Sequence, residues 1–300
     1  MKFYTKMILR ITRALRMESS IISLSRIVPF LQKLVPHPGF YMKKDEITVT
    51  RNSTKFSLNR SDWMQWHIYA DLPDNSWKLA LDDLVKRKNS APVIFEIGSN
   101  VGGFTFKLAS GLKKASIGNF KIFSFDPNPY IAETFKKNMG LNSLDNGTIF
   151  FNQEALSDSV GVTTFGFNME NTGTGTLNAK GIEVKQNTLT NFCMENSIQK
   201  VDFIKMDVEG FEPFVFDGAR KIIERDLPSM YIEISPKMYL NNKRSAEEIF
   251  NYLFRLNYEI FIDEESSLKT IPKDAVEKLI ENEQFNILAL PKSVDRPDRE

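Results

Sequence analysis

The chain has 300 residues, 42% hydrophobic and 26% charged, with a formal net charge of +1. That size and apolar fraction suit one large domain with a substantial core and an N-terminal extension, and the near-neutral balance gives no general affinity for nucleic acid. A single cysteine excludes an intrachain disulfide and a cysteine-cluster metal site; Cys193, within Leu189 to Met194, reads as core packing and says nothing against the expected cytoplasmic location.

Along the chain, Lys2, Lys6, Arg10, Arg13 and Arg16 precede the first acid, Glu18, while Phe3, Met7, Ile8, Ile11 and Leu15 share a helical face. Such a basic amphipathic helix has two readings: a peripheral contact with an anionic membrane or an organellar presequence, and a helix docked on its own domain. No transmembrane helix is expected, because the most apolar stretch, Ile21 to Val35, is interrupted by Arg26, Pro29, Gln32 and Lys33. Ile47 to Thr50 and Lys55 to Leu58 read as a hairpin. Helices follow over Asp62 to Ala70 and Trp77 to Arg87. In the first of these, Trp63, Trp66 and His67 can stack on a sugar or pack in a core.

Val93 to Ile97 is a buried-looking strand that runs into the turn Gly98-Ser99-Asn100-Val101-Gly102-Gly103 and then into a helix pattern from Phe104 to Leu112. Gly98 and Gly102 leave no Cβ in the way of a ligand, and the helix N-terminus presents unpaired backbone N–H groups. Glu96, two positions before the first glycine, repels a pyrophosphate but accepts hydrogen bonds from a cationic amino-acid moiety. This favours S-adenosylmethionine over a dinucleotide. A second strand, Phe120 to Phe125, ends in Asp126-Pro127-Asn128-Pro129 before a helix from Tyr130 to Met139. An acid at that strand end is placed to accept both ribose hydroxyls, or else to cap the helix.

A short strand at Thr148 to Phe151 leads to Gln153 and Glu154, where an adenine amino group is expected; the other reading is an exposed turn. Val162 to Phe167 and Ile182 to Lys185 form a β-like pair, and the segment between, Asn168 to Asn178, reads as a mobile loop over an acceptor site or a plain connection. Lys200 to Met206 is another buried strand, followed by Asp207-Val208-Glu209-Gly210 and a helix from Phe211 to Glu224. Asp207 and Glu209 are the best placed general bases, with Lys205, Glu233 and His67 behind them. Alternatively, Asp207 positions cofactor or substrate and Glu209 is a first-turn acid facing the helix dipole. No metal is assigned, because two acids without a third ligand at readable spacing are weak evidence for one. Strands at Met230 to Ile234, Tyr258 to Ile262 and Phe285 to Leu290, with a helix from Ala246 to Leu256, complete the pattern. The last two strands are expected to be antiparallel, with a surface helix from Lys273 to Asn282 between them.

These blocks together resemble the FkbM family of S-adenosylmethionine-dependent methyltransferases, over roughly residues 90 to 235. The resemblance is carried by the Glu96 to Gly102 turn, Asp126-Pro127-Asn128-Pro129, Asn138 with Leu141-Asn142, Ala155-Leu156-Ser157-Asp158, Thr188-Leu189-Thr190 and, above all, Asp202-Phe203-Ile204-Lys205-Met206-Asp207-Val208-Glu209-Gly210-Phe211-Glu212. The chain departs from the family in carrying Glu96 where Asp is commoner and Asp126 where Glu is commoner, both with charge kept. The resemblance implies an α/β, class I methyltransferase (Rossmann-like) fold, doubly wound, with a mostly parallel sheet and a terminal antiparallel strand. It also implies methylation of a hydroxyl on a sugar, glycan or other small molecule. Glu96, Gly98, Asn100, Gly102, Asp126 and Glu154 would hold the cofactor. The expected organisation is a basic extension over 1–40, a hairpin and helices over 41–90, the methyltransferase domain over 91–292 and a polar tail over 293–300. A nicotinamide-dependent oxidoreductase shares the strand, glycine turn and acid but gives no role to Glu96 or the Asp207 to Gly210 block. A non-catalytic carbohydrate-binding protein has no use for the acidic strand ends.

Overall fold

The computed structural model describes residues 11, 17–25, 27–144, 147–264, 267–282 and 284–292. The basic segment Lys2 to Arg16, apart from Ile11, and the tail 293–300 lie outside the described residues. The chain divides into two compact units, one of residues up to 73 with 168–173, the other of the remainder.

In the N-terminal unit, helix α1 (Glu18–Ser25) precedes the hairpin of β1 (Glu46–Arg51) and β2 (Thr54–Asn59) and helix α2 (Trp63–Tyr69). Buried charge organises it. Glu18 Oε2 accepts from Arg60 Nη1 at 2.7 Å and from the Tyr69 hydroxyl at 2.6 Å, and Arg60 Nη2 reaches Asp45 Oδ1 at 3.0 Å. Asp62 caps α2, its Oδ1 accepting from Gln65 N at 2.9 Å, while its Oδ2 accepts from Thr172 N at 2.8 Å. Trp66 is buried, with Nε1 donating to Pro36 O, and Trp63 meets it edge-on at 5.7 Å between centroids.

The larger unit is built on an eight-stranded sheet. Helix α3 (Ser76–Lys86) leads to β3 (Val93–Ile97), α4 (Gly103–Lys114), β4 (Lys121–Phe125), α5 (Pro129–Leu141) and β5 (Ile149–Asn152). After an excursion the chain returns through α6 (Leu189–Glu195), β10 (Phe203–Met206), α7 (Glu212–Asp226), β11 (Ser229–Ile234), α8 (Pro236–Asn241), α9 (Ala246–Arg255), β12 (Tyr258–Glu264), β13 (Ser267–Thr270) and β14 (Phe285–Pro291). The strand order is β13-β12-β14-β11-β10-β3-β4-β5. The run from β11 to β5 is parallel, and β14, β12 and β13 are antiparallel additions, with β12 and β14 paired as their short separation predicts. Phe, Ile and Met on both faces of β3, β4 and β10 are sealed by helices, which is why these strands read as continuous apolar runs. Phe95 stacks on Phe123 and Phe125 at 5.2 and 5.8 Å, and Phe125 meets Phe192 of α6 at 4.8 Å. Cys193 is buried in the same core.

The excursion forms a four-stranded sheet, ordered β6-β9-β7-β8, from β6 (Ala155–Leu156), β7 (Gly161–Asn168), β8 (Asn171–Leu177) and β9 (Ile182–Asn187). Here the expectation of a loop or plain connection over Asn168 to Asn178 is corrected. Asn171-Thr172-Gly173-Thr174-Gly175-Thr176-Leu177 is a strand, because its alternating β-branched threonines suit a pleat even though its glycines and polarity read as loop. The expected surface helix Lys273 to Asn282 is shorter, a 3-10 turn at Lys273–Ala275 and one helical turn, α10 (Val276–Leu279). Among the described residues no helix is long and apolar enough to cross a membrane.

Candidate active site

The parallel strands run outward in opposite directions from the β3/β10 junction, so the crevice between their carboxyl ends is the topological switch point of the sheet. The glycine turn leaves β3 there. Gly98 N and Ser99 N donate to Phe125 O at 3.0 and 2.9 Å, and Asn138 Nδ2 donates to Val101 O at 3.0 Å, fixing the turn from two sides. Gly98, Asn100 and Gly102 have φ of 82, 44 and 86°. A Cβ on Gly98 would lie 1.7 Å from Asp207 O, and one on Gly102 would lie 2.2 Å from the Phe106 ring. The first demand on both glycines therefore comes from the protein itself: the turn must let β10's exit loop pass and must close onto its own helix. Helix α4 starts without a side-chain cap, so its first N–H groups are left for another acceptor.

Glu96 lies beneath the turn, 1% exposed, with Oε2 accepting from the Thr105 hydroxyl, which in turn is bonded to Ser124 Oγ. Burial outweighs the attraction of Lys205 and pushes its pKa up to about 8. Asp126 is at the end of β4 as expected, and both of its oxygens are in use: Oδ2 accepts from Asn100 N and Oδ1 from Asn128 N, each at 3.0 Å. Asn128, not Asp126, caps α5, accepting from Tyr130 N. Burial pushes Asp126 up to about 6 against those two hydrogen bonds. Glu154 follows β5 at the same sheet edge and is raised by burial, opposed by a hydrogen bond from Asn187.

Asp207 follows β10, its N–H bonded to Ile97 O at 3.0 Å. Lys205 Nζ donates to Asp207 Oδ2 at 2.9 Å and to Gly98 O at 3.4 Å, tying the acidic loop to the glycine turn. The loop then turns through two left-handed residues, Glu209 at φ 52° and Gly210 at φ 93°. Glu212 holds it there: this fully buried carboxylate accepts from Val208 N at 2.8 Å and Gly210 N at 3.1 Å. Glu209 thus lies before the helix, and Glu212 is the first-turn acid, which removes the helix-dipole reading of Glu209. Burial, reinforced by Asp207 and Glu212, pushes Glu209 up to about 7.

Glu233, on β11, meets these residues. One oxygen from each of Asp207, Glu209 and Glu233 lies within 4.8 Å of the others. Burial and the charge of Asp207 raise Glu233 well above the ordinary carboxylate range. The expected residues Glu96, Gly98, Asn100, Asp126, Asp207 and Glu209 thus share one edge of one sheet. His67 belongs to the N-terminal unit, where burial lowers its pKa. The residues that sequence reasoning passed over are Glu212 and the full part of Glu233. The acid three positions after Glu209, at the start of a helix, is a readable signal for the first; nothing in the spacing marks the second.

Residues 96–260 match the model of the methyltransferase FkbM domain family. No curated protein matches the sequence. Among solved structures, the chain is similar to the methyltransferase FkbM from Methylobacillus flagellatus KT, at 15% identity and a TM-score of 0.44, covering 67% of this chain and 44% of that one. This chain therefore spans less than half of that protein. It is also similar to an O-methyltransferase from Bacillus cereus in complex with SAH, at 15% identity and a TM-score of 0.43, covering 76% and 88%. A third is the magnesium protoporphyrin IX methyltransferase of Synechocystis PCC 6803 with bound SAM, at 10% identity and a TM-score of 0.40, covering 73% and 79%.

Proposed function

The chain belongs to the FkbM methyltransferase family, and from that premise we propose that it uses S-adenosylmethionine to methylate a hydroxyl of a sugar, glycan or other small molecule. The observation that carries this reading is the contact between the glycine turn and the acidic loop, where Asp207 O fills the space a Gly98 Cβ would take. The candidate cofactor turn and the candidate catalytic carboxylates are thereby set against each other at the switch point of the sheet.

The residues fit the cofactor. The uncapped N-terminus of α4 suits a carboxylate, Glu96, whose raised pKa a bound cation would lower, suits a cationic amino acid, and Asp126, with one lone pair left on each oxygen, suits ribose hydroxyls. Glu154, after β5, is the carboxyl we assign to the adenine amino group. S-adenosylmethionine, when bound, supplies a methyl group already activated on a sulfonium. The protein's task is then to orient an acceptor oxygen and take its proton, and orientation alone can contribute about 7 kcal/mol or more. Glu209 suits the proton: its carboxylate lies in a half-buried loop, and at a pKa of about 7 it is near the value at which a base is effective in neutral solution. Asp207, held by Lys205, orients the acceptor beside it.

The experiment is an acceptor screen with isotopically methyl-labelled S-adenosylmethionine and hydroxylated sugars, glycans and lipids. Label transferred to an acceptor oxygen supports the reading; label transferred to nitrogen or sulfur acceptors only would replace the substrate class.

A further inference from the structure

We propose, independently of the methyltransferase reading, that the N-terminal unit docks on a bilayer surface rich in anionic lipid, through the exposed apolar turn Leu24 to Phe30 and the basic residues that flank it in the chain. Charge points to such a surface first. The net charge of +1 conceals a division: residues 1–44 hold nine Lys and Arg against one acid, which leaves thirty against thirty-seven over residues 45–300. The one acid, Glu18, is buried and bonded to Arg60 and Tyr69, so it offsets none of the basic residues that precede it. Near an anionic membrane each Lys or Arg strengthens attachment by about fivefold.

Apolar exposure points the same way. Helix α1 buries Glu18, Ile21, Ile22 and Ser25. At its end Leu24 O accepts from Ile27 N at 3.0 Å and from Val28 N at 2.9 Å, and Val28 O accepts from Leu31 N at 3.0 Å. These bonds close a tight turn on which Leu24, Ile27, Val28 and Phe30 are all exposed, Ile27 by 80% and Phe30 by 65%. An apolar side chain exposed singly is ordinary, but four large ones within seven residues mark a contact surface. Arg26 lies among them in the sequence, and Lys33, three positions after Phe30, is exposed as well.

The two features together select the partner. At a bilayer surface acyl chains lie directly beneath anionic headgroups, so the tips of Leu24, Ile27, Val28 and Phe30 can enter the apolar layer while Lys and Arg stay at the level of the phosphates. A nucleic acid would answer the charge but offers aliphatic Leu, Ile and Val nothing to bury against, because it binds through phosphate contacts and base stacking. Stable peripheral attachment needs two signals, and here one is apolar and the other electrostatic. The contact is with the surface, since among the described residues no helix is long and apolar enough to cross a membrane.

The test is co-sedimentation of the full chain with vesicles, one set of phosphatidylcholine alone and one with about a third phosphatidylserine. Binding to the anionic set is expected, weaker by about tenfold or more on phosphatidylcholine and at about 0.5 M salt. Ile27→Ser with Phe30→Ser should weaken it by about tenfold or more, and Arg10→Glu with Arg13→Glu by about 25-fold or more. Ile27 and Phe30 are exposed, so the first pair should keep the thermal midpoint of the parent chain. No binding to the anionic vesicles overturns the proposal, as does binding that the Ile27 and Phe30 pair leaves unchanged. A homopolymeric RNA serves as competitor; RNA bound in preference to vesicles would replace the lipid with a nucleic acid and overturn the proposal too.

Discussion

Asp126 Oδ2 accepts the backbone N–H of Asn100 at 3.0 Å, so the carboxylate at the end of one strand holds the glycine turn at the end of the next. The acid expected to bind ribose is therefore also a strut of the turn that it faces. Asn100 sits at φ 44°, an uncommon backbone region for a residue with a side chain, and a charge-assisted hydrogen bond helps keep it there.

Asp126→Ala should weaken S-adenosylmethionine binding by about 10- to 100-fold, as expected for hydrogen bonds to a charged group worth about 1.5 to 3 kcal/mol. Calorimetric titration of the variant checks it. Unchanged affinity would remove both the ribose and the strut role.

Gly98→Ala should destabilise the fold by about 3 kcal/mol and abolish cofactor binding. A left-handed backbone costs an alanine about 1 to 2 kcal/mol, and overpacking against Asp207 O adds about 1 to 3 kcal/mol. The readout is the midpoint of denaturant unfolding.

The pattern of legibility follows from these contacts. The strands that position the site were readable because burial on both faces makes them continuous apolar runs, and each ends in a glycine turn or an acid. The resemblance in the Asp202 to Glu212 block pointed to the right loop. What the sequence hid is pairwise. Glu233 joins Asp207 only because β11 lies beside β10, and strand order is not written in spacing. Gly98 serves Asp207 O as much as any ligand, a demand visible only when two loops are brought together. Asn171 to Leu177 was misread because glycine and threonine speak for a loop until their alternation is weighed.

Glu212→Ala should lower turnover by at least tenfold while cofactor affinity stays within about threefold. Removing the carboxylate leaves Val208 N and Gly210 N unpaired in a buried loop, at a cost of about 1 to 3 kcal/mol each, and frees Glu209 from its left-handed conformation. Steady-state kinetics set beside a cofactor titration separate the two effects. Equal losses in both would mark Glu212 as merely structural.

Glu96 should make the fold less stable as pH rises. Its pKa is about 8 in the folded protein against an ordinary 4.5, so the native state holds a proton that the unfolded chain has lost. The stabilisation is complete below about 4.5 and disappears as pH passes through about 8. Asp126, Glu209 and Glu212 are raised as well and add slopes of the same sign. Thermal midpoints at pH 6 and pH 9 should fall for the native chain and fall less for Glu96→Gln. Identical slopes would show that Glu96 is ionised in the folded state.

Asp207→Asn should reduce turnover at least tenfold with little change in cofactor affinity, because the proposed role of its side chain, held by Lys205, is to orient the acceptor, and the backbone oxygen that meets Gly98 is kept in the variant. Full turnover in this variant would move the acceptor-orienting role to Glu233.

The central claim is that the β3/β10 crevice is built for a sulfonium nucleoside. Isothermal titration of the full chain with S-adenosylmethionine and S-adenosylhomocysteine, with NADH as control, tests it most directly. One site is expected for each sulfur compound and none for NADH; binding of NADH, or of none of the three, would contradict a crevice built for a sulfonium nucleoside.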